Sequence, residues 1–376
     1  MRNNKELLLA SKQYAHEHRW LSWWHVYSTL GVFAALITVI CLDVPLTLRV
    51  LSSIAAGLVV VRLFVINHDY QHGAILRNSR VAGWIMYACG VLTLSPPSIW
   101  NRSHDHHHKN NSKIFGASIG SYPIMTTQAY ARASSRERMA YAMSRHPATI
   151  ALGYVTMFLY GMCLRSLMAD PRRHIDSALA IVVHFGLVMG LAMVAWDVML
   201  LTVLVPLVIA SAIGAYLFYA QHNFPGVKFR DRDEWNHVFA ALHSSSYIRM
   251  NPIMHWFTGN IGYHHVHHLN ARIPFYRLPE AMKGIEEMRS PQTTTLSPLG
   301  IARCLRLKLW DIERDRLVSF REAAVSAAAP TSTQQEMALR VVSEQGQDTE
   351  NNLPRSLVFQ RKQPTTVSVP PLRKVA

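Results

Sequence analysis

Residues 260–269 read Asn-Ile-Gly-Tyr-His-His-Val-His-His-Leu, with four histidines in five positions. On a helix, positions i, i+3 and i+4 share a face, so His264, His267 and His268 can converge on one centre. His265 lies at the edge of that face and Val266 points away. Neutral imidazole is the commonest side-chain ligand of transition metals, so this spacing suits a metal site. A surface histidine tract has the same composition, and only the rest of the chain can separate the two. The stretch Trp100-Asn101-Arg102-Ser103-His104-Asp105-His106-His107-His108 repeats the pattern with His104, His107 and His108, leaving His106 on the opposite side. A shorter one, Asn67-His68-Asp69-Tyr70-Gln71-His72-Gly73, places His68 and His72 one turn apart. Each cluster alone would fit a structural histidine group, but three near the ends of apolar runs point to a shared metal centre.

The apolar runs must position them. Half of the 376 residues are hydrophobic, and several runs approach the roughly 20 apolar residues that cross a bilayer. Residues 26–42 and 50–66 flank the breaker Asp43-Val44-Pro45 and predict a helical hairpin. Residues 178–196 and 199–220, separated by Asp197 and Val198, predict a second, and Gln221-His222-Asn223-Phe224 follows at once. If the histidines share one side, the chain crosses an even number of times between His68 and His222. The second hairpin supplies two crossings. Residues 81–99, broken near their end by Ser95-Pro96-Pro97, and residues 148–168 are therefore expected in the interface or as re-entrant segments. The expected fold is an all-α integral membrane protein with about four transmembrane helices in two hairpins, interfacial or re-entrant helices, and a cytoplasmic helical cap carrying the metal site. Six independent spans with scattered histidines are the competing arrangement.

The net charge of +15 could suggest nucleic acid, but the basic residues cluster outside the apolar runs, where Lys and Arg mark cytoplasmic segments. No nucleic-acid partner is expected. The four cysteines form no CxxC pair or disulfide framework. The polar start, with Lys5, Lys12 and Arg19, lacks the apolar core of a cleavable signal. The expected location is the cell (inner) membrane, with the site facing the cytoplasm. The expected organisation is a cytoplasmic segment 1–24, a membrane domain 25–289, a linker with a basic amphipathic segment 290–322, and a disordered tail 323–376. Within these, residues 278–288 predict an amphipathic helix and residues 301–320 a basic segment lying on the membrane surface.

The order HxxxH, HxxHH, HxxHH, set in His-Asp-x-x-His-Gly, Trp-x-Arg-x-His and Gly-Tyr-His-x-x-His-His-Leu, resembles the integral membrane fatty acid desaturases over residues 67–279. The resemblance implies two non-haem iron ions held by His68, His72, His104, His107, His108, His222, His264, His267 and His268. It implies an O2-dependent reaction that places a cis double bond in a lipid- or carrier-linked acyl chain. Asp69 and Asp105 each follow a ligand position and are expected either to accept an N–H from a neighbouring imidazole or to be solvated or capping carboxylates, with His265 behind the ligands. Some members use a water-bridged asparagine one turn before the histidine matching His222. Here that position is Phe218, with Asn223 and Asn260 as possible substitutes, and the role stays unassigned. Members that desaturate toward the carboxyl end usually open the third box with Gln. His264 at that position points to the chain middle or beyond.

Trp84, Tyr216 and Phe218 are expected either to line an acyl channel or simply to pack. No dinucleotide loop, ferredoxin cysteine set or His-Pro-Gly-Gly haem motif is present. An external electron donor is therefore expected, a ferredoxin or cytochrome-type protein with its reductase, with Arg132, Arg136 and Arg138 as a docking face. The alternatives are a membrane di-iron hydroxylase or ketolase of a lipid, carotenoid or alkane, and a non-catalytic metal-binding protein or transporter. A transporter would carry charges mid-span, and the proposed spans hold little beyond Arg62 near an end. A soluble carboxylate di-iron bundle needs repeated Glu-x-x-His, found only at Glu234-Trp235-Asn236-His237. HExxH is absent, which disfavours a zinc protease.

Overall fold

The computed structural model describes residues 2–114 and 120–328, except for the side chains of 327 and 328. Four helices are long and apolar enough to cross a membrane, and they pair as the two expected hairpins: Arg19–Cys41 with Leu46–Gln71, and Ile175–Val194 with Trp196–Ala220. Helical structure continues past the apolar runs. The 26 residues of Leu46–Gln71 extend about 39 Å, against a hydrocarbon core of roughly 30 Å. The surplus turns carry His68 out of the apolar layer.

The second span is the most enclosed of the four. Lipid supplies no hydrophobic force between spans, so close backbone approach and polar ties hold them. A Cβ at Gly57 would lie 2.9 Å from Ile209 Cβ and 3.0 Å from the Pro206 carbonyl oxygen, so this glycine sets the contact with the fourth span. Ser53 Oγ donates to the Leu201 carbonyl at 2.6 Å, and Arg49 pairs with Asp197 at 2.7 Å across the far-side turns. Arg62 is buried: its guanidinium donates to Thr29 Oγ1 at 3.0 Å and to the Trp256 carbonyl, and stacks 4.4 Å over the Trp256 ring. Arg62 thereby fastens the segment that leads into the third histidine cluster to the first two spans.

Neither intervening apolar run forms a spanning helix. Arg80–Leu92 has 13 residues, about 20 Å, and Tyr154–Ala169 is also short of a span. After Leu94 turns the chain with φ 56°, Pro97 opens the helix Pro97–Asn110 that carries the second cluster.

The region after residue 290 departs from expectation. Instead of one basic segment over 301–320, a helix Pro298–Arg306 is followed by strands Leu309–Asp311 and Arg316–Val318, paired antiparallel. Trp310 and Val318 are buried there, and Asp315 at φ 47° makes the turn. Met125–Thr126 adds a parallel strand beside Leu309 and Trp310. A second short parallel pair joins Tyr247–Arg249 to Thr293–Thr295. Strands of two or three residues show no alternation that a sequence could reveal. The helix expected over 278–288 closes at Gly284 and resumes as one turn, Glu286–Met288. The helix Phe320–Ala328 overlaps the start of the segment expected as a tail, and residues 329–376 lie outside the described residues.

Replacing Gly57 by Leu would overpack the contact between the second and fourth spans. The expected loss is about 1–3 kcal/mol, seen as a lower melting midpoint in detergent micelles. An unchanged midpoint would show that these spans are not packed as described.

Candidate metal centre

Four separate elements deliver the histidines. His68 lies in the last turns of the second span and His72 caps its end. His104, His107 and His108 come from the helix Pro97–Asn110, His222 from just beyond the fourth span, and His264, His267 and His268 from the short helix His264–Leu269. The structure brings all nine together in two groups. One contains His68, His72, His104, His108 and His267, the other His107, His222, His264 and His268, with the nitrogens of each group within 4.8 Å of one another.

The nitrogens meet edge to edge. Nε2 of His108 is 3.0 Å from that of His104 and 3.1 Å from that of His267. In the other group, Nε2 of His222 is 3.0 Å from His107 and 2.9 Å from His264, and His264 is 3.1 Å from His268. His222 donates its Nδ1 proton to the Ser244 carbonyl at 2.9 Å, so the neutral ring presents a bare lone pair to these neighbours. His68 likewise donates Nδ1–H to Asp69 Oδ1 at 3.1 Å. Nε2 of His72 is buried without a hydrogen-bond partner. Where both rings of a pair keep their proton on Nδ1, as His107 toward Ser121 and His222 toward Ser244 can, two lone pairs meet at 3.0 Å and repel one another unless a cation lies between them. Nitrogens at right angles about 2.1 Å from one ion would be about 3 Å apart, matching the spacing found. The donor set therefore fits two metal ions.

Burial also keeps these rings in the form that binds metal. Desolvation, reinforced by neighbouring histidines, holds His72, His104, His107, His108, His264, His267 and His268 well below the ordinary imidazole range. His222 is pulled down to about 4 by burial, against the opposing effect of its bond to Ser244. Metal uptake would then compete with few protons at neutral pH.

The surrounding residues fall out unevenly. Asp69 is buried and accepts from His68, its own sequence neighbour, while its Oδ2 accepts the Phe275 N–H at 2.6 Å. Asn260 does not touch the histidines: its amide donates to the Phe275 carbonyl at 3.2 Å and so steadies the strand of chain that holds Asp69. His265 is buried behind the third cluster and donates to the Met288 carbonyl at 3.2 Å. Asp105 corrects the expectation of an imidazole partner. It is exposed on the outer face of its helix, whereas Asp69 is buried and held beside His68 by the Phe275 N–H. Asn223 donates to the Cys304 carbonyl at 2.8 Å and accepts from Arg145, so it too faces away from the histidines. Ser121, which spacing could not reveal, pairs with His107 Nδ1 at 2.8 Å. Its loop lies directly on the second-cluster helix, where a Cβ at Gly120 would fall 2.0 Å from the Ser103 carbonyl oxygen.

A cavity of about 550 Å³ ends at His68, His104 and His264. Phe64, Val65, Trp100, Met157, Phe158 and Phe218 give it an apolar wall. Phe218 stands 5.1 Å from the His107 ring. Trp84 is 76% exposed on the outside and Tyr216 packs in the core, so neither borders the cavity.

A helical membrane protein with two facing imidazole groups able to bind metal, placed at the end of an apolar cavity, is the class that fold and site define. The fatty acid desaturase family model matches residues 45–298. A fatty acid desaturase of Bacillus subtilis is 32% identical over 282 residues, covering 74% of this chain and 80% of the relative. An endoplasmic reticulum omega-3 fatty acid desaturase of Vigna radiata is 24% identical, covering 70% and 72% respectively. An sn-1 acyl-lipid omega-3 desaturase (ferredoxin) of Synechocystis is 24% identical, covering 60% and 63%. The chain belongs to the fatty acid desaturase family and is an oxidoreductase.

Asp69→Asn tests the support behind His68. One amide cannot accept from both Phe275 and His68, and its NH2 turned toward His68 would favour the wrong tautomer. Metal affinity is expected to fall about 10- to 100-fold with the fold intact, read by cobalt(II) titration of metal-free protein. Unaltered affinity would remove Asp69 from any supporting role.

Proposed function

We propose that this chain places a cis double bond in a membrane acyl chain using two iron ions, one held by His68, His72, His104, His108 and His267 and the other by His107, His222, His264 and His268. The observation that carries this reading is the pair of histidine groups closing an apolar cavity. When bound, the irons supply the O2 activation and hydrogen abstraction that no side chain can perform on an unactivated methylene. The protein's part is positional. The cavity takes the acyl chain, excludes water, and presents one methylene pair beside His68, His104 and His264. Asp69, Ser121 and the Ser244 carbonyl hold the outer nitrogens of His68, His107 and His222, which keeps each Nε2 turned inward. His265 and Asn260 brace the third cluster and the segment around Phe275.

Removal of two hydrogens with reduction of O2 to two waters requires two further electrons from outside the chain and two protons from water. The Synechocystis relative is named for ferredoxin. An acidic ferredoxin suits the exposed Arg132, Arg136 and Arg138. Lys109, Lys113, Lys228 and Arg230 also lie on the histidine side, which supports a cytoplasmic orientation in the inner membrane. Residues 25–289 would form the catalytic membrane domain.

Two measurements test this. Expressed in a host without such an activity, the protein should yield fatty acids with a new cis double bond and purify with two irons per chain. Hydroxylated or keto products, or failure to take up iron under anaerobic reconstitution, would sink the proposal. Neutralising Arg132, Arg136 and Arg138 together should lower turnover at limiting ferredoxin and recover at excess. A triple variant with wild-type dependence on donor concentration would move the docking face elsewhere.

A further inference from the structure

The cavity is apolar, yet Arg102 and Arg165 also border it, and no Asp or Glu does so among the described residues. Both arginines are exposed, and neither side chain has a hydrogen bond or ion pair with another described residue. Guanidinium groups with spare donors beside an apolar slot suit an anion joined to an apolar chain. The planar fork of Arg matches phosphate in particular.

The fold brings these two residues to one place. Ser98, one helical turn before Arg102, donates its N–H and Oγ to Asp176 at 2.8 and 2.6 Å, and its Oγ lies 2.7 Å from His174 Nδ1. Ser166, next to Arg165, lies 3.0 Å from Ser177 Oγ. His174, Asp176 and Ser177 belong to the start of the third span. Both arginine-bearing helices are thus tied to the same turn, and Arg102 and Arg165 both border the cavity, as His174 of that turn does. Asp176 makes no ion pair with either arginine, and its two oxygens accept from the Ser98 N–H and Oγ. Asp170, the other carboxylate nearby, accepts the Arg173 N–H at 3.1 Å. The turn follows Tyr154–Ala169, which is too short to span, and opens a true span. It therefore lies at the boundary between membrane and water, the level of lipid phosphates, with Arg172 and Arg173 beside it.

We propose that Arg102 and Arg165 form a collar that binds the phosphate of a glycerophospholipid, so that the acyl chain enters the cavity while still attached to its membrane lipid. This rests on the desaturase reading and assigns it a substrate class. A coenzyme A or carrier-protein thioester also offers phosphate. The lipid is favoured because it already presents phosphate and chain together at this level.

The test is binding to purified protein in neutral detergent, counted by native mass spectrometry, with dipalmitoyl phosphatidylglycerol, dipalmitoylglycerol and palmitoyl-coenzyme A as probes. Phosphatidylglycerol should bind at least about tenfold more tightly than dipalmitoylglycerol. The Arg102→Gln/Arg165→Gln variant should lose that preference, and the Arg102→Lys/Arg165→Lys variant should keep part of it. Iron content and melting midpoint report whether each variant folds, and if the Gln pair does not, the Lys pair and the wild-type preference decide. Equal binding of the phosphate-free lipid, an unchanged preference in the folded Gln pair, or tighter binding of palmitoyl-coenzyme A would each overturn the assignment. Binding needs no turnover, so the collar and the desaturation reading can fail separately.

Discussion

The structure depends on forcing neutral imidazole nitrogens together in a buried space. Where two Nε2 atoms about 3 Å apart both belong to rings with the proton on the outer nitrogen, as His107 and His222 can, they repel one another until a cation separates them. A loose surface would let the rings turn outward and solvate. Here three contacts oppose that: the second span pins His68 through Asp69, the loop at Gly120 lies on the second-cluster helix, and the Phe275 segment locks Asp69 from behind. The scaffold's rigidity is what makes the site costly to leave empty and favourable to fill.

The membrane supplies the other half of the constraint. Within lipid, backbone polar groups must be satisfied internally, so the spans are helices. Helices that outrun the bilayer carry their final turns into the cap, where His68 and His72 end the second span and His222 follows the fourth. The runs 80–92 and 154–169 are too short to cross, and the second of them contributes Met157, Phe158 and Met162 to the wall of the apolar cavity. The cavity and the histidines are thus products of the same mismatch between helix length and bilayer thickness.

How legible each part was follows from its range in sequence. His104, His107, His108, His264, His267 and His268 could be read because helical spacing is local and places them on one face. The four spans were legible because twenty apolar residues have few other uses. His222 has no partner at helical spacing and was reachable only through the family resemblance. Ser121 and the Ser244 carbonyl meet their histidines through tertiary contact alone, so no pattern announces them. Asp69 and Asp105 occupy the same position after a histidine and differ only in tertiary setting: the Phe275 N–H holds Asp69 in a buried place beside His68, while Asp105 is exposed. Trp84 neither lines the cavity nor packs inside, since an aromatic on an apolar helix is as ready to face outward as inward.

The way the clusters are divided has a structural consequence. The helix Pro97–Asn110 gives His104 and His108 to one group and His107 to the other, while His264–Leu269 gives His267 to the first and His264 and His268 to the second. Successive helical positions lie about 100° apart, so neighbouring residues of one turn must look into two sites at once. Each helix is therefore seated between the groups and cannot rotate to improve one without spoiling the other. That geometry explains why both clusters need three histidines and why a single HxxxH suffices on the second span, whose two rings serve one group only. The two sites are separate in their ligands but mechanically one unit, set by the rotation of two short helices whose ends are fixed by Ser98 with Asp176 and by Asn270 with Ser11.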